Sequence, residues 1–166
     1  MDVTRRRFLL AGSMTALSAA AAITACAGKA TSAPPEAAFA VTHTDAEWRK
    51  LLTTSQYDVL RDAGTEAPYS SPLNDEHRHG EFDCAGCALG LFSSDTKFDS
   101  GTGWPSFWRA MDNAVLERQD TSLLETRTEV LCSRCGGHLG HVFDDGPQPT
   151  GLRYCMNGAA MTFRAL

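Results

Sequence analysis

Cys132-Ser133-Arg134-Cys135-Gly136-Gly137-His138-Leu139-Gly140-His141-Val142-Phe143 joins a Cys-x-x-Cys turn to a short run of mixed apolar residues, glycine and histidine. Runs of this length, bounded by turn residues, read as β-strands. Working outward from 138–143, similar runs lie at 81–84, 89–92, 114–117, 122–131, 152–156 and 161–164, separated by Gly, Asp or Asn. They predict a mainly β protein of two packed antiparallel sheets after Pro72. Upstream the period changes. Thr44-x-x-Glu47 has the form of a capping box, and Trp48, Leu51 and Leu52 follow at helical spacing. A second short helix is predicted at about 55–61, with Thr54 as its cap, Gly64 as its stop, and Tyr57 and Leu60 facing the core.

The whole chain of 166 residues suits one domain, since domains commonly hold ~100–150 residues. Beyond residue 26 it carries 12 basic and 19 acidic residues, a net charge of −7. An acidic body without a Lys/Arg cluster argues against nucleic acid as a partner.

Six cysteines stand at 26, 84, 87, 132, 135 and 155. Cys84-Ala85-Gly86-Cys87 and Cys132-Ser133-Arg134-Cys135 each set two thiolates across a tight turn, the arrangement of a closed, structural Zn²⁺ site. Four sulfurs leave no open position, so one zinc per chain would clamp two distant strands. The competing reading is a pair of disulfides, which an oxidising compartment would permit. His77 and His79 lie just upstream, but with four sulfurs at hand they are expected to face solvent.

Thr4-Arg5-Arg6-Arg7-Phe8 and the alanine-rich apolar stretch after it resemble a twin-arginine export signal over residues 1–26. Ile23-Thr24-Ala25-Cys26 resembles a lipobox, which would lipidate Cys26; the alternatives are ordinary cleavage after Ala27 and an uncleaved anchor. Residues 27–43 read as a flexible tether, leaving 44–166 as the folded domain. The expected location is outside the cytoplasm, in the periplasm or cell envelope, with the membrane touched only through an N-terminal lipid. A twin-arginine route carries folded proteins, so metal would be loaded before export.

The remaining cysteine lies in Arg153-Tyr154-Cys155-Met156-Asn157. A thiolate near two imidazoles is a nucleophile with proton-handling partners, whereas the bland reading makes Cys155 a small buried hydrophobe and His138 and His141 the end of a strand. The ordered set favours the first. Gly101-Thr102-Gly103-Trp104-Pro105-Ser106-Phe107, then His138 to Pro147, then Arg153 to Asn157 resembles the signature of methionine sulfoxide reductases of type B, over a stretch from about Thr44 to the C-terminus.

The resemblance implies reduction of methionine-R-sulfoxide in oxidised proteins or peptides. Cys155 would attack the sulfoxide sulfur and become a sulfenic acid, while His138 and His141 handle protons and Asn157 orders the group facing the sulfoxide oxygen. Trp104 and Phe143 would bind the S-methyl group, Pro105 would fix the direction of the indole, and Arg153 would support the thiolate after pairing with an acidic side chain. Many members carry a resolving cysteine where this chain has Thr102, and a serine where it has Gly158, a change expected to loosen the surroundings of the cysteine. With four cysteines on zinc and Cys26 capped or removed, Cys155 would have no internal resolving thiol and would need a thioredoxin-like or other external thiol reductant. Rival readings are a zinc-stabilised binding module without catalysis and a thiol peroxidase.

Overall fold

The computed structural model describes residues 39–122 and 125–166. The export signal, Cys26 and the tether up to residue 38 lie outside the described residues, as do Leu123 and Leu124 of the predicted strand 122–131.

Two short helices open the domain. Asp45–Leu51 is α1, and its predicted capping box is present: the Thr44 side chain accepts the Glu47 N–H at 3.4 Å and the Glu47 carboxylate accepts the Thr44 N–H at 2.7 Å. Thr54–Leu60 is α2, and here the predicted cap is off by one. Thr53 caps it, because Gln56 three residues on reaches back to the Thr53 N–H at 3.0 Å while its own N–H bonds the Thr53 hydroxyl; Thr54 has no such partner and becomes the first helical residue. Gly64 does mark the stop: its N–H returns to the Asp58 carbonyl at 2.8 Å, after Ala63 takes a left-handed φ of 53°.

Among the described residues nine strands follow: β1 Gly80–Cys84, β2 Gly90–Ser93, β3 Lys97–Phe98, β4 Ser106–Phe107, β5 Val115–Asp120, β6 Arg127–Cys132, β7 His138–Phe143, β8 Arg153–Met156 and β9 Met161–Ala165. They form the two expected antiparallel sheets, ordered β2-β1-β9 and β3-β4-β8-β7-β6-β5. Two strand expectations change. β5 runs on through the polar residues Arg118 to Asp120, and β6 begins only at Arg127. The Asp120 side chain accepts the Ser122 N–H at 2.9 Å, a local turn that ends one strand and starts the hairpin. β3 and β4 have no forecast, since two residues show no alternation to read.

The core lies where the sheets meet. Phe92 and Phe107 stack at 4.4 Å between ring centroids, and Phe82 packs edge-on against Phe107 at 4.9 Å. Leu91, Leu139, Val130 and Met156 are fully buried around them. The helices cover one end, with Trp48 and Leu60 buried against the two cysteine turns. That end begins before Thr44: the Val41 N–H bonds the Arg134 carbonyl at 3.0 Å and the Phe39 ring lies over Gly136.

The identity of the second cap is open to a direct check. Thr53→Ala should cost about 1 kcal/mol, a fall of roughly 2–8 °C in thermal midpoint for a domain of this size. Thr54→Ala should stay within about 0.5 kcal/mol; equal losses in both variants would contradict the capping box at Thr53.

Candidate active site

Strand register assembles the site. Cys155 sits mid-strand in β8, directly opposite Ser106 of β4 on one side and His141 of β7 on the other. Residues opposite one another in antiparallel strands present their side chains to the same face. One neighbour therefore delivers His141, and the other carries in the loop that ends at Trp104. Cys155, His141, Trp104, Phe143 and Asn157 line one pocket, which Thr65, Arg127 and Gly140 complete. These five side chains were all expected at the site.

His141 Nε2 lies 2.8 Å from Asp120 Oδ2, and Arg127 reaches the same oxygen at 2.7 Å. Hydrogen bonds from Ser122, His141 and Arg127 hold the Asp120 carboxyl well below the usual carboxylate range. An ionised acceptor on Nε2 makes that nitrogen the protonated one, so Nδ1 is the atom of the ring left to take or give a proton.

His138 stands differently. It is buried, it does not line the pocket, and its ring centroid lies 5.5 Å from that of His141. Its Nδ1 lies 2.7 Å from Glu129 Oε1, and Arg118 binds the other oxygen of that carboxylate. Burial is the largest influence on both members of this pair. It pushes His138 below the ordinary imidazole value even though Glu129 resists. Burial also pushes Glu129 up, but the bonds from Arg118 and His138 outweigh it and leave Glu129 below its ordinary range. Both shifts have the same sign for stability: the contribution is complete above the unfolded values and is lost as pH falls below them and through the lower folded values.

Arg153 has the expected acidic partner. Its guanidinium binds Asp145 through two parallel bonds of 2.8 Å and lies over the Phe143 ring at 4.3 Å. The bond to Asp145 is the main cause of its raised pKa, and Arg153 shares a face of β8 with Cys155, two residues on.

Asn157 is 3% exposed, with both ends of its amide engaged: Oδ1 accepts the Glu66 N–H at 3.0 Å and Nδ2 donates to the Leu139 carbonyl at 3.1 Å. One Nδ2 hydrogen is left for a ligand. The indole of Trp104 donates to the Glu66 carbonyl at 3.1 Å, and the Glu66 carboxylate accepts the Gly158 and Ala159 N–H groups at 2.6 and 2.9 Å. Thr65 thus lines the pocket and Glu66 braces Trp104, Asn157 and the Gly158 turn behind it, from a segment with neither helix nor strand, which is why sequence patterning gives no hint of them. Asp120 and Glu129 were missed for a related reason: each is one charged residue among several on a strand, and only the fold selects it.

At Gly158 the expected loosening is absent. A Cβ there would collide with the Ser71 side chain, which is buried and occupies the space.

The four paired cysteines converge. Their sulfurs all lie within 4.8 Å of one another, with Cys84 to Cys135 at 3.7 Å and Cys87 to Cys132 at 3.5 Å. A tetrahedral ion with metal–sulfur bonds of ~2.3 Å places its sulfurs about 3.8 Å apart, so the residues fit such a group. A disulfide needs ~2.05 Å. Hydrogen bonds from Cys132, Cys135 and Cys87 drive the Cys84 thiol far above its normal range, while Cys135, Cys84 and Cys87 drive Cys132 far below. A divalent ion among the four sulfurs would favour the thiolate form of all of them. His77 and His79 are exposed and take no part.

With this geometry in view, comparison with known proteins is decisive. A family model described as the SelR domain matches residues 52–165. The peptide methionine sulfoxide reductase MsrB of Thiobacillus denitrificans is 57% identical over 121 residues, covering 72% of this chain and 92% of the relative. The chain belongs to this family. MsrB of Leptospira interrogans is 50% identical, over 76% of this chain and 97% of its own, and that of Methanosarcina barkeri 53% identical, over 75% and 89%. The match leaves out the N-terminal residues, and the protein is a thiol-dependent oxidoreductase by membership of the family.

A structural metal predicts a split between cysteines. Cys132→Ser should lose bound metal and more than ~3 kcal/mol of stability, since structural zinc contributes roughly 10–16 kcal/mol in finger peptides. Cys155→Ser should keep both. Elemental analysis together with thermal melts reads the difference, and an unchanged melt for Cys132→Ser would refute the metal clamp.

Proposed function

We propose that this protein reduces the R epimer of methionine sulfoxide in proteins or peptides, with Cys155 as nucleophile and an external thiol as reductant. The observation that carries the reading is the register match of Cys155 with His141, in a pocket walled by Trp104 and Phe143. The S-methyl group rests against these rings; sulfur–aromatic contacts contribute roughly 0.3–1.5 kcal/mol, enough to orient the substrate. The Cys155 thiolate attacks the sulfoxide sulfur. Its oxygen takes a proton as the S–O bond weakens, and His141, backed by Asp120, stands on the pocket wall to supply it. The protonated oxygen then passes to the Cys155 sulfur as the S–O bond and the new sulfur–sulfur bond both break, so methionine leaves reduced by two electrons and Cys155, oxidised by two, is left as a sulfenic acid. Arg153, held by Asp145, keeps positive charge beside the reacting sulfur.

Thr102 occupies the place of a resolving cysteine, and its hydroxyl lies 3.7 Å from Cys155 Sγ. It cannot form a disulfide. Two external thiols, such as a thioredoxin-like dithiol, therefore reduce the sulfenic acid to thiol and water with one disulfide formed between them. Zn²⁺ is the ion proposed for Cys84, Cys87, Cys132 and Cys135, since it favours a closed tetrahedral thiolate shell. When bound it supplies structure only. Arg5, Arg6 and Arg7 before an apolar stretch support export, and the residues around Cys26 support a lipid anchor in the cell envelope.

Three variants and a comparison of oxidants test this. Cys155→Ser should abolish turnover of peptide methionine sulfoxide with dithiothreitol, and appreciable remaining activity would sink the nucleophile assignment. His141→Asn should slow the single-turnover step by ~10²–10⁴-fold, the range for losing acid–base catalysis. His138→Asn should slow it less, because its ring stands behind the pocket wall. Hydrogen peroxide, offered in place of the sulfoxide, should be the poorer oxidant; a faster reaction with peroxide would favour a peroxidase.

A further inference from the structure

Three hydroxyl groups form a line that ends on the reacting sulfur. Ser106 Oγ donates to the Trp104 carbonyl at 3.1 Å and lies 2.7 Å from Ser100 Oγ. Ser100 Oγ lies 2.8 Å from Thr102 Oγ1, which lies 3.7 Å from Cys155 Sγ, within hydrogen-bond range for the larger sulfur atom. Ser106 is fully buried and is the strand partner of Cys155, so the line is anchored in the sheet and is no accident of surface rotamers.

Each hydroxyl has one proton, and this fixes the direction of the line. The Trp104 carbonyl can only accept, so the proton of Ser106 points to it. The oxygen of Ser106 then accepts from Ser100, that of Ser100 from Thr102, and that of Thr102 from the Cys155 S–H. A thiolate reverses the demand at the far end, because it can only accept. All three hydroxyls then turn, and Thr102 donates to the sulfur.

Building on the proposed function, we propose that Thr102 is the hydrogen-bond donor to the Cys155 thiolate, with Ser100 and Ser106 as positioning residues in a hydroxyl chain that reverses when the thiol ionises. The turn exchanges a neutral bond at the Trp104 carbonyl for a charge-assisted one at sulfur, and charge-assisted bonds are roughly twice as strong. The exchange therefore favours the thiolate. It also links the protonation of Cys155 to the backbone of the residue that holds the substrate. Thr102 thus does more than fill the place of a missing cysteine.

Other charges act on the same sulfur and stay constant in the comparison below. Arg153 lies on its own strand, bound to Asp145; His141 faces it from β7 and Arg127 from β6, both held by Asp120. In the loop, Asp99 is spent on the Gly101 N–H, and beyond the pocket Glu66 is spent on Gly158 and Ala159.

The test is the rate of Cys155 alkylation by iodoacetamide against pH, followed by mass spectrometry on the metal-loaded full chain. Thr102→Val removes the hydroxyl at nearly constant volume, and its midpoint should rise by about one pH unit, or about tenfold less thiolate at a fixed lower pH. Thr102→Ser should restore the native midpoint, and Ser100→Ala should fall between the two. A native midpoint in Thr102→Val would overturn the chain. So would a shift of equal size in Thr102→Ser, which would assign the effect to packing. Thermal midpoints of the variants, expected to match the native protein, separate a local effect from unfolding. Methionine sulfoxide turnover by the unaltered protein tests the proposed function independently: its absence would remove that function and leave the alkylation shift standing, whereas an unshifted Thr102→Val would leave the function and remove the chain.

Discussion

The convergence of four sulfurs is the constraint on which the rest of the structure depends. Cys84 ends β1, the central strand of the small sheet, and Cys132 ends β6, an inner strand of the large one, so one cluster ties the two sheets together through inner strands. Each turn approaches the helices through a glycine. A Cβ at Gly137 would meet Leu60 at 2.8 Å, and one at Gly86 would touch Leu60 and Trp48 at 3.6 Å. A bulkier residue at 137 would push Leu60 aside, whereas 86 has room for a methyl group. A small domain with a modest apolar core gains from such a clamp what larger proteins gain from burial.

The clamp also sets the aim of the catalytic hairpin. β6 and β7 spring from the second cysteine turn, and they carry Glu129 and His138, which pair with one another, and His141, whose partner Asp120 ends the neighbouring β5. The first pair is buried beside the clamp. The second borders the pocket, where Arg127 shares its carboxylate. The inner pair locks a strand whose outer histidine faces the reacting sulfur, and the difference in burial between two histidines three residues apart separates scaffold from chemistry.

Much of this was legible in the sequence, for identifiable reasons. Cys-x-x-Cys turns announce a metal shell because only a few residue types bind metal and their spacing is tight. The capping box at Thr44 is equally local. Thr53 escapes the pattern because a glutamine is a quieter partner than a glutamate, and β5 reads too short because Arg118, Gln119 and Asp120 do not look like a strand. Among the site residues, Cys155, His141, Trp104, Phe143 and Asn157 stood out as rare residue types in an ordered motif, and the pocket gathers all five. Glu66 could not be found this way. It belongs to no periodic element, and its role exists only once Trp104, Asn157 and Gly158 have been brought beside it.

The shared space of Ser71 and Gly158 has a historical consequence. One side chain fits there, and the two positions lie far apart in the chain. A lineage that carries Ser71 meets a cost of about 1–3 kcal/mol on gaining a serine at 158, because the intermediate would be overpacked beside the reacting strand. The order of mutation is therefore biased: the path in which position 71 shrinks first avoids that cost, and the descendant that results meets it on restoring the old residue there. Two substitutions that look neutral in separate genomes would be incompatible in one.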